Sequence, residues 1–368
     1  MKALVLVTGG RGGSDFFQGL LDSHEQILQI PGILRINNEF LEIFNSRNNN
    51  EISEKFIKFV PLIFDSRQNK LERHDKLGPK KNQHYRVDKK KFNFYFEKLS
   101  KKKYLNKLAI LENLYKAYYL ASNRKIQKLK LILLHTHTVD YTKKLFLFEH
   151  INNCTIIHTM RHPINALQSP VINWLKFKQG KVFFPKDLYF QKDLAVNGIY
   201  DLLNFNKKMY IILLENLIHN KKKVMREFCK IFEINYTENL MNCTYFGKQW
   251  WGDQISGRWI GKNIKKQKNQ NLNKLKDVFF DSDLLYFKGL THCIIKKYFN
   301  ENIQIYKNKF YCKFAPTKAE LLVWKNTFKH KKIKHLLSIP YFYLKRIFFL
   351  NSFFIKKRIL PHSIGSKK

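Results

Sequence analysis

Two short stretches of the chain carry residue types suited to holding anions. In "TGGRGGSD", Thr8 to Asp15, four glycines flank one arginine between an apolar run and a helical pattern. Glycine permits positive φ and close backbone approach. The helix that follows offers first-turn N–H groups with no partner inside the helix and the positive end of its dipole, and Arg11 adds a forked cation. A strand, turn and helix of this kind cradles a phosphate-like anion, with Gly10, Gly12, Gly13, Ser14 and Asp15 as its frame; a tight structural turn would use the same glycines. The second stretch, "TIIHTMRHPINALQSPVINW", Thr155 to Trp174, ends a strand-like run at Arg161 and opens a helix at Pro163. Ser169 stands 8 residues beyond the arginine, about two turns into that helix. A guanidinium at a strand end and a hydroxyl in the next helix can converge on a further phosphate group, although either residue alone is equally an ordinary surface group.

The glycine turn also excludes two nucleotide-binding patterns. A kinase-type loop requires Gly-Lys-Ser/Thr after a glycine and four residues, and counting from Gly9 or Gly10 reaches Ser14 or Asp15 instead. The dinucleotide fingerprint G-x-G-x-x-G fails because Gly10-Arg11-Gly12 is followed by Asp15 where the third glycine belongs.

The elements that must position these residues are legible as apolar runs: "ALVLVT" (3–8), "ILQIP" (27–31), "LKLILLHTH" (129–137), "TIIHTMR" (155–161) and "YIILLENL" (210–217). Runs apolar on successive residues suit strands covered on both faces. Helical segments between them imply parallel crossovers, so the fold class is α/β, a three-layer α/β/α domain around a central parallel sheet. From about 45 to 128 the pattern loosens into Asn- and Lys-rich stretches mixed with aromatic helical turns, predicting a largely helical insertion. The α/β domain is expected to span 1–312, with 313–368 a basic, aromatic C-terminal extension.

Lys and Arg number 68 against 28 Asp and Glu, a formal net charge of +40. That field concentrates anionic partners of any kind. Lys, Asn, Ile, Phe and Tyr are all abundant, as an AT-rich genome would impose, so charge alone selects no partner and points to no specific nucleic acid. The 5 cysteines are widely spaced with no CxxC pair, which predicts neither a disulfide framework nor a zinc site and suits a reducing cytoplasm. The first apolar run is too short for a signal peptide, and the most apolar tail segment, Leu336 to Ile355, is broken by Pro340, Lys345 and Arg346, so no membrane span is expected. The tail "HLLSIPYFYLKRIFFLNSFFIKKRIL" suits either the surface of an acidic membrane or a helix pair packed on the domain with a solvated basic face.

The ordered pair of anion motifs resembles the sulfotransferase superfamily. In that family a Lys/Arg-Ser/Gly-Gly-Thr/Ser loop holds the 5′-phosphosulfate of 3′-phosphoadenosine 5′-phosphosulfate, and an Arg…Ser pair of the same spacing holds its 3′-phosphate. Here the loop is Arg11-Gly12-Gly13-Ser14, followed by "LLDSHEQILQIPG", and the pair is Arg161…Ser169. The resemblance covers about residues 3–48 and 129–262. It implies a P-loop NTPase-like fold, the phosphosulfate nucleotide as donor co-substrate, and no metal. "LLHTHTVDY" matches the place of a Thr-His catalytic base, which makes His137 the candidate with His135 beside it; Glu39, 28 residues beyond Arg11, is the rival, since other branches use a glutamate after the loop. The resemblance also assigns Phe16 to the adenine, Glu215 to a structural strand-end role, and "FGKQWWGDQISGRWIGKN" (246–263) to a segment closing over the nucleotide, with Arg258 on phosphate and Trp250, Trp251 or Trp259 as stack or lid. Asp15 departs from the family's Ser or Thr, and its carboxylate must point away from a bound phosphosulfate.

The implied activity is sulfuryl transfer to a hydroxyl or amine of a carbohydrate or lipid-linked acceptor, in a cytoplasmic protein that could touch the inner face of the membrane. Two other readings remain: a P-loop-like nucleotide kinase, which lacks the Lys-Ser/Thr, and a non-enzymatic basic protein for nucleic acid or acidic membrane, which leaves the paired motifs unexplained.

Overall fold

A computed structural model describes residues 1–8, 11–46, 48–101, 106–137, 139–146, 154–176, 184–203, 205, 207–252, 278–301, 314–330, 333–349 and 361–365. Its frame is a parallel sheet made of β1 (Lys2–Thr8), β2 (Ile27–Leu28), β3 (Leu131–His135), β4 (Thr155–Met160), β5 (Met209–Leu213) and β8 (His362–Ile364), in the order β2-β3-β1-β4-β5-β8. The first five strands fall within or beside the five apolar runs. A two-stranded hairpin, β6 (Thr244–Tyr245) and β7 (Lys248–Gln249), lies apart from it.

Residues on alternate sides of a strand feed two cores, which is what a three-layer fold requires. Ile157 and Ile212 point into one core with α1 (Ser14–Leu21) and the later helix α11 (Lys221–Phe232). Ile156 and Ile211 point into the other with α8 (Pro163–Lys176), α9 (Pro185–Leu203) and α12 (Asp281–Leu290). The remaining helices are α2 (Asn38–Glu42), α3 (Asn49–Phe59), α4 (Pro61–Phe64), α5 (Lys89–Leu99), α6 (Lys107–Ala121), α7 (Val139–Leu145), α10 (Leu214–His219), α13 (His292–Phe299), α14 (Lys318–His330) and α15 (Ile333–Phe349).

The insertion is helical, and its polar stretches serve as helix starts. The side chains of Asn48, Asp88 and Asn106 accept first-turn N–H groups of α3, α5 and α6, each such cap contributing about 1 kcal/mol. Its aromatic residues bury Phe64 against Phe92 (ring centroids 5.0 Å apart) and Tyr118 (5.6 Å), in the same core as the sheet residues Leu4 and Leu133. The insertion is therefore part of the domain's packing.

The extension after residue 313 begins with helices, and it does not stay outside the α/β frame. α14 and α15 pack on α9, and His362–Ile364 returns to pair in parallel with β5, Ile364 opposite Ile212. Three residues carry no periodicity, so this strand has no signature in the sequence. No helix among the described residues is long and apolar enough to cross a membrane. Cys154, Cys229, Cys243 and Cys293 are free thiols, and Cys312 lies outside the described residues.

Candidate functional site

The chain leaves β1 toward one edge of the sheet, returns as β3 at its side, and then crosses to β4 on the other flank. The carboxyl ends of β3, β1 and β4 thus form three neighbouring corners at a topological switch point, where open α/β sheets place their ligands. Register makes the proximity specific: Leu6 pairs with His135, and Thr8 pairs with Thr159. His137, the turn that includes Arg11, and Arg161 each follow within 3 residues of one of these paired positions.

The turn is locked onto β4. Gly12 donates its N–H to Thr8 Oγ1 (3.2 Å), and Thr8 Oγ1 donates in turn to the Thr159 carbonyl (3.1 Å). A Cβ on Gly12 would lie 2.3 Å from that carbonyl oxygen, so only glycine allows this approach. The Gly12 amide therefore points back into the protein, toward Thr8. Gly13 caps α1 with φ +84°, and a Cβ there would meet Leu214 at 2.5 Å. Ser14 is buried at the start of α1, with Arg11, Asp15 and Phe16 half-buried around it. Gly9 and Gly10 lie outside the described residues.

Asp15 occupies the first turn of α1, where the helix dipole favours a carboxylate. Its carbonyl accepts the Tyr245 hydroxyl at 2.9 Å. Burial raises the Tyr245 phenol and the Cys243 thiol well above their ordinary values, and the nearby Asp15 charge adds to both. Phe16 packs against the core with the Lys221 ammonium 5.6 Å from its ring centroid.

Arg161 is buried at the end of β4, and Ser169 is half-buried in α8. The link between them is braced from the start of α10, just beyond β5: the Glu215 carboxylate accepts the His162 N–H at 3.1 Å.

On the opposite corner, His135 and His137 separate into different environments. His135 is buried; burial first, then the His137 charge, push its pKa down to about 3, so it is neutral at physiological pH. Its Nδ1 lies 3.0 Å from Gln18 Oε1. Gln18 Nε2 donates to the Ile30 and Gly32 carbonyls at 2.8 and 3.2 Å, which leaves Oε1 as the acceptor and puts the His135 proton on Nδ1. His135 is thus a structural tie, while His137 is half-buried beyond the strand. Glu39 is exposed in the first turn of α2, beside Asn37, whose Nδ2 donates to it at 3.4 Å. The strand end and α2 are near one another: the Leu34 N–H reaches the His135 carbonyl (2.8 Å), and Lys144 of α7 reaches Asn38 Oδ1 (3.0 Å).

The segment after Phe246 is tied to the insertion. Trp250 is buried and donates Nε1 to the Glu72 carbonyl; Trp251 donates to that of Gly78, both at 2.7 Å. Both bonds anchor the segment. Trp259 and Arg258 lie outside the described residues.

Two elements of the site were not visible in the sequence. Gln18 joins α1 to the 30–32 segment and to His135; its only signal is an amide within the apolar "FFQGLL". Asp22, at the other end of α1, forms a buried ion pair with Arg124 (3.0 Å) and accepts the Thr244 hydroxyl and the Gly247 N–H at 3.0 and 2.7 Å. Burial opposes its ionisation, and the Arg124 charge with these donors outweighs it, holding the carboxyl below its ordinary value. Among the described residues, no three His, Cys, Asp or Glu side chains gather as a metal-binding group.

No family model matches the chain, and no curated protein matches it. A search of solved structures finds the sulfotransferase domain from the curacin biosynthetic pathway, 12% identical, with a TM-score of 0.36, covering 71% of this chain and 84% of that domain.

Proposed function

We propose that the protein is a sulfotransferase that moves a sulfuryl group from 3′-phosphoadenosine 5′-phosphosulfate to a hydroxyl, or an amine, of a carbohydrate or lipid-linked acceptor. The observation that carries this reading is the contact of Gly12 with the Thr159 carbonyl, which brings the anion turn beside the strand end that bears Arg161. Two cationic groups on adjoining corners suit a nucleotide that is charged at both its 5′ and 3′ ends.

In this scheme the N–H groups of the first turn of α1, its dipole and Arg11 hold the 5′ end of the donor, and Arg161 with Ser169 holds the 3′-phosphate. The S–O bond to the 5′-phosphate breaks as the acceptor oxygen bonds to sulfur. Negative charge grows on the leaving phosphate oxygen, where Arg11 and the oriented amides stabilise it, as positioned cations and dipoles do in phosphoryl transfer. His137 takes the acceptor proton; a neutral imidazole is suited to that at pH 7. Glu39 would serve as base if the acceptor entered from the α2 side. His135 is not the base in this scheme, because burial lowers its pKa to about 3, too weak a base for the acceptor proton, and its Nδ1–H is bonded to Gln18 Oε1.

Titration calorimetry with adenosine 3′,5′-bisphosphate tests the reading. The product nucleotide is expected to bind more tightly than AMP, and Arg161→Ala to weaken it about 10- to 100-fold while changing AMP binding little, as loss of a charge-assisted phosphate contact requires. No binding by the native protein, or equal binding of both nucleotides, would overturn it.

A further inference from the structure

The exposed side of α15 is apolar along its length. Ile333, Leu337, Tyr341, Leu344 and Phe348 follow at helical spacing and are all exposed, Leu337 at 71% and Phe348 at 65%. The stripe runs about 22 Å at 1.5 Å per residue. The helix does not turn this face outward for lack of an inner one: Arg346 and Ile347 are buried on its other side, and Phe342 and Tyr343 are half-buried. On the neighbouring α14, Leu321 and Phe328 are also exposed. A contiguous apolar face of this kind marks a surface that meets something other than water.

The charge of this part of the sequence says what. From Lys313 to the end the chain has 14 Lys and Arg and a single acidic residue, Glu320. That carboxylate is buried, 2.8 Å from both Lys192 Nζ and Arg346 Nε, so it does not offset the outer charge. Lys325, Lys329 and Lys334 are exposed on the same two helices. A second copy of the chain would oppose this excess with its own, whereas a sheet of anionic headgroups over acyl chains satisfies both the cations and the apolar stripe.

We propose that α15 docks in the plane of an anionic phospholipid bilayer, its Ile333–Phe348 stripe at the acyl boundary and the lysines among the headgroups. Pro340, within the helix, and the Arg346–Glu320 ion pair, which ties the inner face to the protein, keep it on the surface; no described helix is long and apolar enough to cross. The proposal does not rest on the sulfotransferase reading, and it holds whatever the chain's chemistry.

Cosedimentation of the full chain with vesicles tests it. Truncation is unsuitable, because β8 follows α15 and belongs to the sheet. The native protein is expected to bind vesicles of equal parts phosphatidylglycerol and phosphatidylcholine, and at least about tenfold more weakly vesicles of phosphatidylcholine alone. Leu337→Glu with Leu344→Glu, both at exposed positions and checked for an unchanged melting temperature, should lower binding to the acidic vesicles by about tenfold or more. Three results would overturn the proposal: no binding by the native chain, equal binding by the double variant, or a self-association that the variant disperses while vesicles remain unbound. If adenosine 3′,5′-bisphosphate binding is unchanged in the variant, the two readings stand or fall separately.

Discussion

Around the central sheet, apolar residues point inward, and the buried His135 and His158 are neutral. In the layer of α9, α14 and α15 that order is reversed, with Lys192, Glu320 and Arg346 inside and Leu337, Tyr341, Leu344 and Phe348 outside. The two regions bury polar groups by different means. His135 and His158 are buried without charge, burial pushing both down to about 3, whereas burial would raise the Glu320 carboxyl and is outweighed by its two cations, which hold it below its ordinary value. A neutral group is kept at the cost of sensitivity to acid. A charged cluster is kept only as long as every member is present.

The largest expected effect follows from the histidines. Each has a folded pKa far below its unfolded value near 6.5, so the unfolded chain binds protons that the folded chain refuses, and stability falls as pH drops from about 6.5 toward 3. The pair should give an uptake of about two protons on unfolding near pH 5, roughly 2.7 kcal/mol per pH unit, measurable by urea denaturation across pH. His158→Gln should lower the slope near pH 5 by about 1.4 kcal/mol per pH unit; a slope unchanged by this variant would place the acid sensitivity elsewhere.

The next effect separates the two ion clusters. Glu320→Leu leaves Lys192 and Arg346 buried without a carboxylate and should cost about 3–5 kcal/mol in a thermal or chemical melt. Arg124→Met leaves Asp22 with the Thr244 and Gly247 donors and should cost less. Equal losses would mean that the C-terminal cluster is no more interdependent than the pair beside α1. A smaller effect is expected for Gly12→Ala, about 1–3 kcal/mol, because a Cβ 2.3 Å from the Thr159 carbonyl must displace the turn. Nucleotide affinity should fall with it, and a variant that keeps native affinity would show that this approach does not set the turn's geometry.

Much of this was legible in the residues. Strands buried on both faces leave unbroken apolar runs, and the runs at 3–8, 129–137, 155–161 and 210–217 became β1, β3, β4 and β5. The Gly-rich turn and Arg161 could be placed side by side because a parallel α/β sheet puts its strand ends along one edge. What was not legible depends on neighbours far along the chain. β8 is three residues held by β5, and the Gly12 amide is committed by Thr8 and Thr159. The tail's alternation of basic and aromatic residues fits either side of a helix, and only packing on α9 decides that Arg346 goes in and Leu344 stays out.

One nucleotide spanning two corners of the sheet is the central claim, and a crystal structure of the protein with adenosine 3′,5′-bisphosphate measures that. The expected result has the 5′-phosphate against the first turn of α1 and Arg11, the 3′-phosphate within hydrogen-bond distance of Arg161 and Ser169, and His137 facing the position of the missing sulfuryl group. A nucleotide bound elsewhere, or one bound at the turn with Arg161 and Ser169 out of reach of its 3′-phosphate, would contradict it.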